Sequence, residues 1–312
     1  MRTIFKYLIG VGCFFSIWSG ASAQDSKMTI GPHDADLTDI RLRYVVAGHG
    51  PLVFVTSPGW GPGSLYLQKG LSTLEEQFTL LFLDTRGSGG SSRPTDSTKM
   101  STAVMADDVD RLRNYLGVDS IILIGHSNGG AIALDYAERY PTRLRKLVLL
   151  DAEVLDDRAE KATGEFLRLW ADDPRYKSAV QAIRDDPRLD TDEDFSKFLN
   201  TVLPLYVSDP DRYLMDFAKT FEGTHLTVYA AKAQETADKL SPRDQSKEYD
   251  KVRAKTLILS GTADWVCPTE VSERIHAGIR GSTLSLYANA GHFLWIEQPK
   301  RFFAELTSFL AN

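Results

Sequence analysis

The chain has 312 residues, a formal charge of −6, and 43% hydrophobic against 25% charged residues. That is the balance of an ordinary globular protein, long enough for one large domain with an insertion. The acidic surplus offers no attraction for nucleic acid or an anionic membrane surface, and the sequence holds no basic cluster, zinc-spaced Cys/His set, low-complexity tract or internal repeat.

The first 23 residues read as a secretory signal peptide. Arg2 and Lys6 form a short basic start, Tyr7 to Trp18 is mostly apolar, and Ala21-Ser22-Ala23 is an A-x-A cleavage signature before Gln24. The apolar run is too short for an ordinary membrane span, so the expectation is an exported protein, periplasmic or secreted, with no stable membrane insertion after cleavage. Cleavage removes Cys13 and leaves Cys267 as the single thiol, so the mature chain has no internal disulfide.

A polar, mobile lead-in is expected from Asp25 to Asp36, then strands at Ile40–Ala47 and Leu52–Thr56. A loop rich in glycine and proline follows, Ser57-Pro58-Gly59-Trp60-Gly61-Pro62-Gly63-Ser64. Leu65 to Gln77 reads as a helix and Phe78 to Asp84 as a strand. Ser101 caps a helix whose Val104, Met105, Val109, Leu112, Tyr115 and Leu116 share one face. Four branched apolar residues, Ile121 to Ile124, make a strand buried on both faces. They lead into Gly125-His126-Ser127-Asn128-Gly129-Gly130 and a helix over Ala131–Arg139. A serine between such a strand and helix, with a glycine two residues to either side, is the nucleophile-elbow pattern. A Cβ at either glycine would strike the neighbouring strand or helix.

Leu144 to Leu150 is another buried strand, closing on Asp151. Residues 153–250 change texture, with charge, aromatics and helical signals but little strand pattern. Strands return at Thr256–Ser260 and Thr283–Tyr287, with helices at Thr269–Gly278 and Pro299–Leu310. Strands alternating with helices indicate a parallel sheet covered on both faces. The expected organisation is a core of residues 24–152 and 251–312 carrying a helical cap at 153–250.

From about Thr38 onward the chain resembles the α/β-hydrolase superfamily. Four segments carry the likeness in order: the loop after Thr56, Asp84-Thr85-Arg86-Gly87-Ser88-Gly89, Gly125-His126-Ser127-Asn128-Gly129-Gly130, and Gly291-His292. The resemblance implies an α/β-hydrolase fold, a mostly parallel twisted sheet with helices on both faces and an inserted helical cap. Within the superfamily the chain is most similar to the proline iminopeptidase-like serine hydrolases, through Gly61-Pro62-Gly63, the Asp-x-Arg-Gly-x-Gly segment and the position of the cap.

Ser127 needs a base to become a nucleophile at neutral pH. Of six histidines, His292 follows the last strand on a loop at the sheet's edge, in the chain order expected of this fold. His126 is expected to point away from the serine side chain. His33, His49 and His276 read as structural or surface residues, as does His225, the one of them that the cap carries. The resemblance assigns the acid to Asp264, after strand Thr256–Ser260, with Asp151 as its rival. An oxyanion hole requires two backbone N–H donors. Asn128 supplies one, and Trp60 or Gly61 the other, because Pro58-Gly59-Trp60 stands where the family carries His-Gly-Gly-Pro-Gly. Trp60 is also expected to wall the acyl pocket, Arg86 to brace loops, and Cys267 to be a small core residue.

The resemblance implies acyl transfer to serine and then to water, with no cofactor and no metal, on a small molecule or short peptide. An aminopeptidase removing an N-terminal residue, often proline, would bind the free amine through Glu222 and Glu153. The alternative is a carboxylesterase or lactonase; a non-catalytic ligand-binding protein on the same scaffold is the third reading.

Overall fold

A computed structural model describes residues 26–156 and 159–312; the expected signal peptide lies outside the described residues. The strands are β1 (Gly31–Leu37), β2 (Ile40–Gly48), β3 (Leu52–Thr56), β4 (Thr79–Leu83), β5 (Ile121–His126), β6 (Leu144–Leu150), β7 (Lys255–Gly261) and β8 (Thr283–Tyr287). The helices are α1 (Leu65–Gly70), α2 (Thr102–Tyr115), α3 (Asn128–Arg139), α4 (Ala159–Trp170), α5 (Lys177–Arg184), α6 (Asp192–Val202), α7 (Pro210–Phe221), α8 (Val228–Leu240), α9 (Thr269–Gly278), α10 (Leu294–Glu297) and α11 (Pro299–Ala311). One eight-stranded sheet runs β1-β2-β4-β3-β5-β6-β7-β8. It is antiparallel where β2 meets β1 and β4 and parallel from β4 to β8.

The all-apolar run of β5 has a direct cause. Ile121 and Leu123 pack on one face with Val109 and Leu112 of α2 and Ile132 of α3. Ile122 and Ile124 pack on the other with Leu67 of α1 and Phe302 and Leu306 of α11. A strand covered on both faces has no polar side to present. Ser101 caps α2 as expected, its side chain accepting from Val104 N–H.

Two expectations are corrected. The lead-in is no mobile segment: Gly31–Leu37 pairs with β2 over its whole length, and His33 stacks on Tyr44. Leu65–Gln77 is not one helix. It breaks after Gly70 and continues as a 3-10 turn, Ser72–Glu76.

Helices α4 to α8 lie between β6 and β7, so the helical segment is an insertion in the sheet's connectivity. Fully buried Gln245 clasps its two ends. Gln245 N–H donates to the Leu155 carbonyl (3.0 Å), its Oε1 accepts from Leu155 N–H (2.8 Å), and its Nε2 donates to the Ala131 carbonyl on α3 (2.8 Å). Nearby, Arg243 Nε pairs with Asp135 of α3 at 2.6 Å, and its Nη2 reaches Glu138 and Glu248. On the other side of α2, the buried Arg86 guanidinium makes a two-pronged pair with Asp108 (2.6 and 2.7 Å) and donates to the Lys99 carbonyl. That is the loop brace the sequence suggested.

Burial, then the neighbouring Asp135, push the Glu138 carboxyl up to about 9 from an ordinary 4.5. The folded protein therefore keeps a proton that the unfolded chain releases. Stability is full below about 4.5 and is lost as pH rises toward about 9. Glu138→Gln removes the ionisation and is expected to melt above the parent at about pH 8 by roughly 2–4 °C or more. The gap should close near pH 4; an equal gap at both pH values in thermal melts would contradict this account.

Candidate active site

The chain leaves β5 through Ser127 at φ 56° and ψ −129°, a conformation outside both strand and helix. Only a crowded surrounding holds a non-glycine residue there. A Cβ on Gly129 would come within 2.9 Å of the Thr56 carbonyl oxygen, and one on Gly125 would strike Gly129 itself. The serine hydroxyl thus stands at the mouth of the sheet, at the N-terminus of α3.

His292 sits on the loop between β8 and α10, 2% exposed, and its Nδ1–H donates to Asp264 Oδ2 at 2.7 Å. Asp264 is fully buried after β7, its other oxygen accepting from the N–H groups of Val266 (2.8 Å) and Cys267 (3.1 Å). Three donors converge on this carboxylate. Asp151, the rival, is also fully buried but accepts from Gly261 N–H (2.8 Å) and has no hydrogen bond to a histidine among the described residues. Burial, and then Asp264 beside it, push its carboxyl well above the usual range. The two carboxyls thus differ in their ties, Asp264 to the histidine and Asp151 to backbone N–H.

A pocket opens on Ser127 and His292, walled by Trp60, Tyr66, Leu199, Tyr206, Phe217, Phe221 and Phe293. The core supplies Trp60, Tyr66 and Phe293; the insertion supplies the rest as a roof, with Phe217 and Phe221 one helical turn apart on α7. Its free volume is about 10 Å³, room for about one water molecule.

His126 corrects an expectation. It lines the same pocket as Ser127 because the strand's alternation of side chains ends where the backbone turns sharply at residue 127. Its Nε2–H donates to the His292 carbonyl and its Nδ1 accepts from the Tyr66 hydroxyl, both at 2.9 Å. Burial, then the nearby His292, hold its pKa well below the ordinary value, so it stays neutral and fixes the base-bearing loop from below. His225 is exposed on the insertion.

Asn128 occupies the first turn of α3. Its side-chain oxygen accepts from Gly59 N–H (2.9 Å) and Gln234 Nε2 (3.0 Å), and its Nδ2 donates to Glu153 (2.9 Å). Gly59 N–H is thereby used up. Trp60 N–H has no hydrogen-bond partner among the described residues and belongs to the pocket wall. Gly61 turns at φ 123° against the backbone of Thr227. Glu153 stands one contact behind the pocket, on Asn128, with burial raising its carboxyl. Glu222 is not brought to the site. It is exposed at the end of α7 and lines a separate groove with Asn200, Leu203 and Thr224.

Residues 53–299 match the family described as alpha/beta hydrolase fold. This chain belongs to the α/β-hydrolase fold family. Among its relatives is a proline iminopeptidase of Pestalotiopsis fici, 27% identical over 272 residues that cover 84% of this chain and 93% of that protein. A 2-hydroxy-6-oxo-2,4-heptadienoate hydrolase of Pseudomonas putida is 29% identical over 63% of this chain and 65% of its own length. The enol-lactonase of Burkholderia xenovorans shares the fold with a TM-score of 0.67 at 21% identity, covering 90% of this chain and all of that one. The family resemblance and the fold expected from the four motifs are therefore established. The hydrolase sheet begins earlier than Thr38, at β1.

The roles of two residues escaped the sequence reading. The Tyr206 carbonyl accepts from His292 N–H at 2.9 Å. Glu297, 6% exposed, accepts from Gly291 N–H (2.7 Å), from Ser208 N–H (3.1 Å) and from the Ser208 hydroxyl. Glu297 thus fastens the base-bearing loop to the insertion. Glu297→Ala would strand these buried donors, and a loss of about 2–3 kcal/mol, roughly 5 °C or more, is expected. Hydrogen exchange at the His292 amide should also quicken; an unchanged melting temperature would deny the clamp.

Proposed function

We propose that this protein is a serine hydrolase that cleaves esters or lactones with an apolar acyl group through an acyl-enzyme on Ser127. The carrying observation is the pocket: Ser127 and His292 face seven apolar or aromatic walls, with no carboxylate among them. An apolar acyl group gains from such walls, whereas an ammonium would lose its hydration without a partner.

In this reading the Ser127 hydroxyl turns to His292 Nε2. Apo sites often tighten only around substrate. His292 Nε2 takes the proton as Oγ attacks the carbonyl carbon, and Asp264 stabilises the imidazolium through Nδ1–H. The N–H groups of Asn128 and Trp60 hold the oxyanion. The departing alkoxide takes the proton from Nε2, and water repeats the sequence to release the acid. With space for about one water at rest, the roof side chains must shift to admit an acyl group.

A second reading, the aminopeptidase, is favoured by one feature. The Glu153 carboxyl stands one contact behind the pocket, held by Asn128 Nδ2 at 2.9 Å, so an α-ammonium reaching it would find a carboxyl partner. The first relative named above is a proline iminopeptidase. Export is part of the proposal too, resting on residues 1–23. N-terminal sequencing of protein recovered outside the cytoplasm should begin at Gln24, and a retained Met1 would refute cleavage.

Purified protein is expected to turn over short-chain p-nitrophenyl esters and lactones. Ser127→Ala should lower the rate by about 10⁴-fold or more. Prolyl anilide turnover that vanishes when the α-amine is blocked, without ester turnover, would replace the ester reading by the aminopeptidase. In the same assay Asp264→Asn should cost about 10³–10⁴-fold in kcat. Asp151→Asn, replacing a carboxyl tied to the Gly261 N–H and not to His292, should stay within about threefold; the reverse ranking would move the acid to Asp151.

A further inference from the structure

Cys267 stands beside the reacting groups with no part in the proposed chemistry. It follows Asp264 by three residues, and its own N–H, bound to the Asp264 carboxylate, folds the loop back on itself. A carboxylate oxygen of Asp264, Cys267 Sγ and a ring nitrogen of His292 all lie within 4.8 Å of one another. These residues are 0%, 1% and 2% exposed. We propose that this triangle binds one soft divalent cation of the zinc type and that binding switches the hydrolase off.

Carboxylate, thiolate and imidazole are the donors zinc selects. Tetrahedral zinc with such ligands spaces its donor atoms about 3.4–3.6 Å apart. The Asp264–His292 pair, now at 2.7 Å, must open slightly, and the sulfur, within 4.8 Å of both, need close by no more than about 1.4 Å. Charge also balances, because a dication, the Asp264 carboxylate and the Cys267 thiolate sum to zero in a buried place where net charge is costly. The Ser127 hydroxyl or a water completes the fourth position.

The cation displaces the thiol proton to solvent. If it takes Nδ1, the single N–H of the neutral imidazole moves to Nε2 and the Asp264 hydrogen bond is lost. If it takes Nε2, the basic lone pair is occupied. Either way no ring nitrogen is left to accept the Ser127 proton. The pocket that opens on Ser127 and His292 is the route in, so cation and substrate compete.

Binding is independent of the ester or peptide reading; only the inhibition rests on the serine-hydrolase proposal. Cadmium ion, titrated into the parent chain and into Ser127→Ala, should raise an ultraviolet thiolate-to-cadmium band saturating at one ion per chain. Cys267→Ala should abolish the band. Zinc ion should inhibit the parent reversibly by chelator, and Cys267→Ala, with basal activity within about threefold, should need at least about tenfold more zinc. Absence of the band in the parent would overturn the site. A band with equal zinc inhibition of parent and Cys267→Ala would overturn the switch. A protein inactive on every substrate would refute the hydrolase reading, while the cadmium band would still decide the site.

Discussion

The fold depends on holding one residue where its backbone does not want to be. Ser127, at φ 56°, carries a strain of about 1–3 kcal/mol, and three hydrogen bonds lock it there. Its N–H donates to the Leu150 carbonyl at 3.0 Å; its carbonyl accepts from Gly130 N–H at 2.8 Å and Glu153 N–H at 2.9 Å. The last of these pins the start of the insertion directly to the elbow. Asp151 is bent to a positive φ as well, at 41°, so two neighbouring parallel strands end in forced turns side by side. Their shared edge is where the side chains of Ser127 and the fully buried Asp151 come off the sheet, and Gly125 and Gly129 keep the space beneath it clear.

Much of this was legible because it is local. Apolar run, sharp turn and helix formers sit consecutively around Ser127, and Gly291-His292 and Asp264 each follow a recognisable strand. What failed was also physical in origin. β1 hides because it is an edge strand: only Ala35 is buried, Pro32, Asp34 and Asp36 fill its exposed face, and its pairing with β2 is carried by backbone. Glu222 was placed by its neighbour Phe221, which does roof the pocket. One residue further is about 100° around a helix, and Glu222 is already the residue that ends α7. Tyr206 and Glu297 act across 86 and 89 positions of sequence respectively, through a carbonyl and a carboxylate that no local pattern marks.

Cys267 illustrates a subtler limit. Read as a small buried residue it is correct, at 1% exposed. Its significance comes from the turn after Asp264, where one carboxylate oxygen caps two successive N–H groups and the other meets His292. The same turn that orients the acid brings sulfur to the imidazole, so the two placements share one cause.

The insertion is fastened unevenly, and the unevenness decides what part of it can open. At one foot the segment Tyr206–Ser208 is bound to the histidine loop through buried groups, and a Cβ on Gly291 would lie 2.7 Å from the Tyr206 carbonyl. At the other, Gln234 of α8 donates to Asn128 and Thr102, and Gln245 closes the stem, all in buried contacts. Breaking any of these would leave donors or acceptors stranded in the interior. Between the feet runs α7, which supplies Phe217 and Phe221 to the roof. The polar contact that holds its far end comes from Lys69, whose ammonium meets the carbonyls of Lys219 (3.1 Å) and Glu222 (2.5 Å) in exposed surroundings. Water replaces such a bond at little cost. What else holds this end of α7 is the packing of Phe217 and Phe221 on Phe293 and Tyr66 of the core, so the ties there are apolar or exposed, whereas those at both feet are buried and polar.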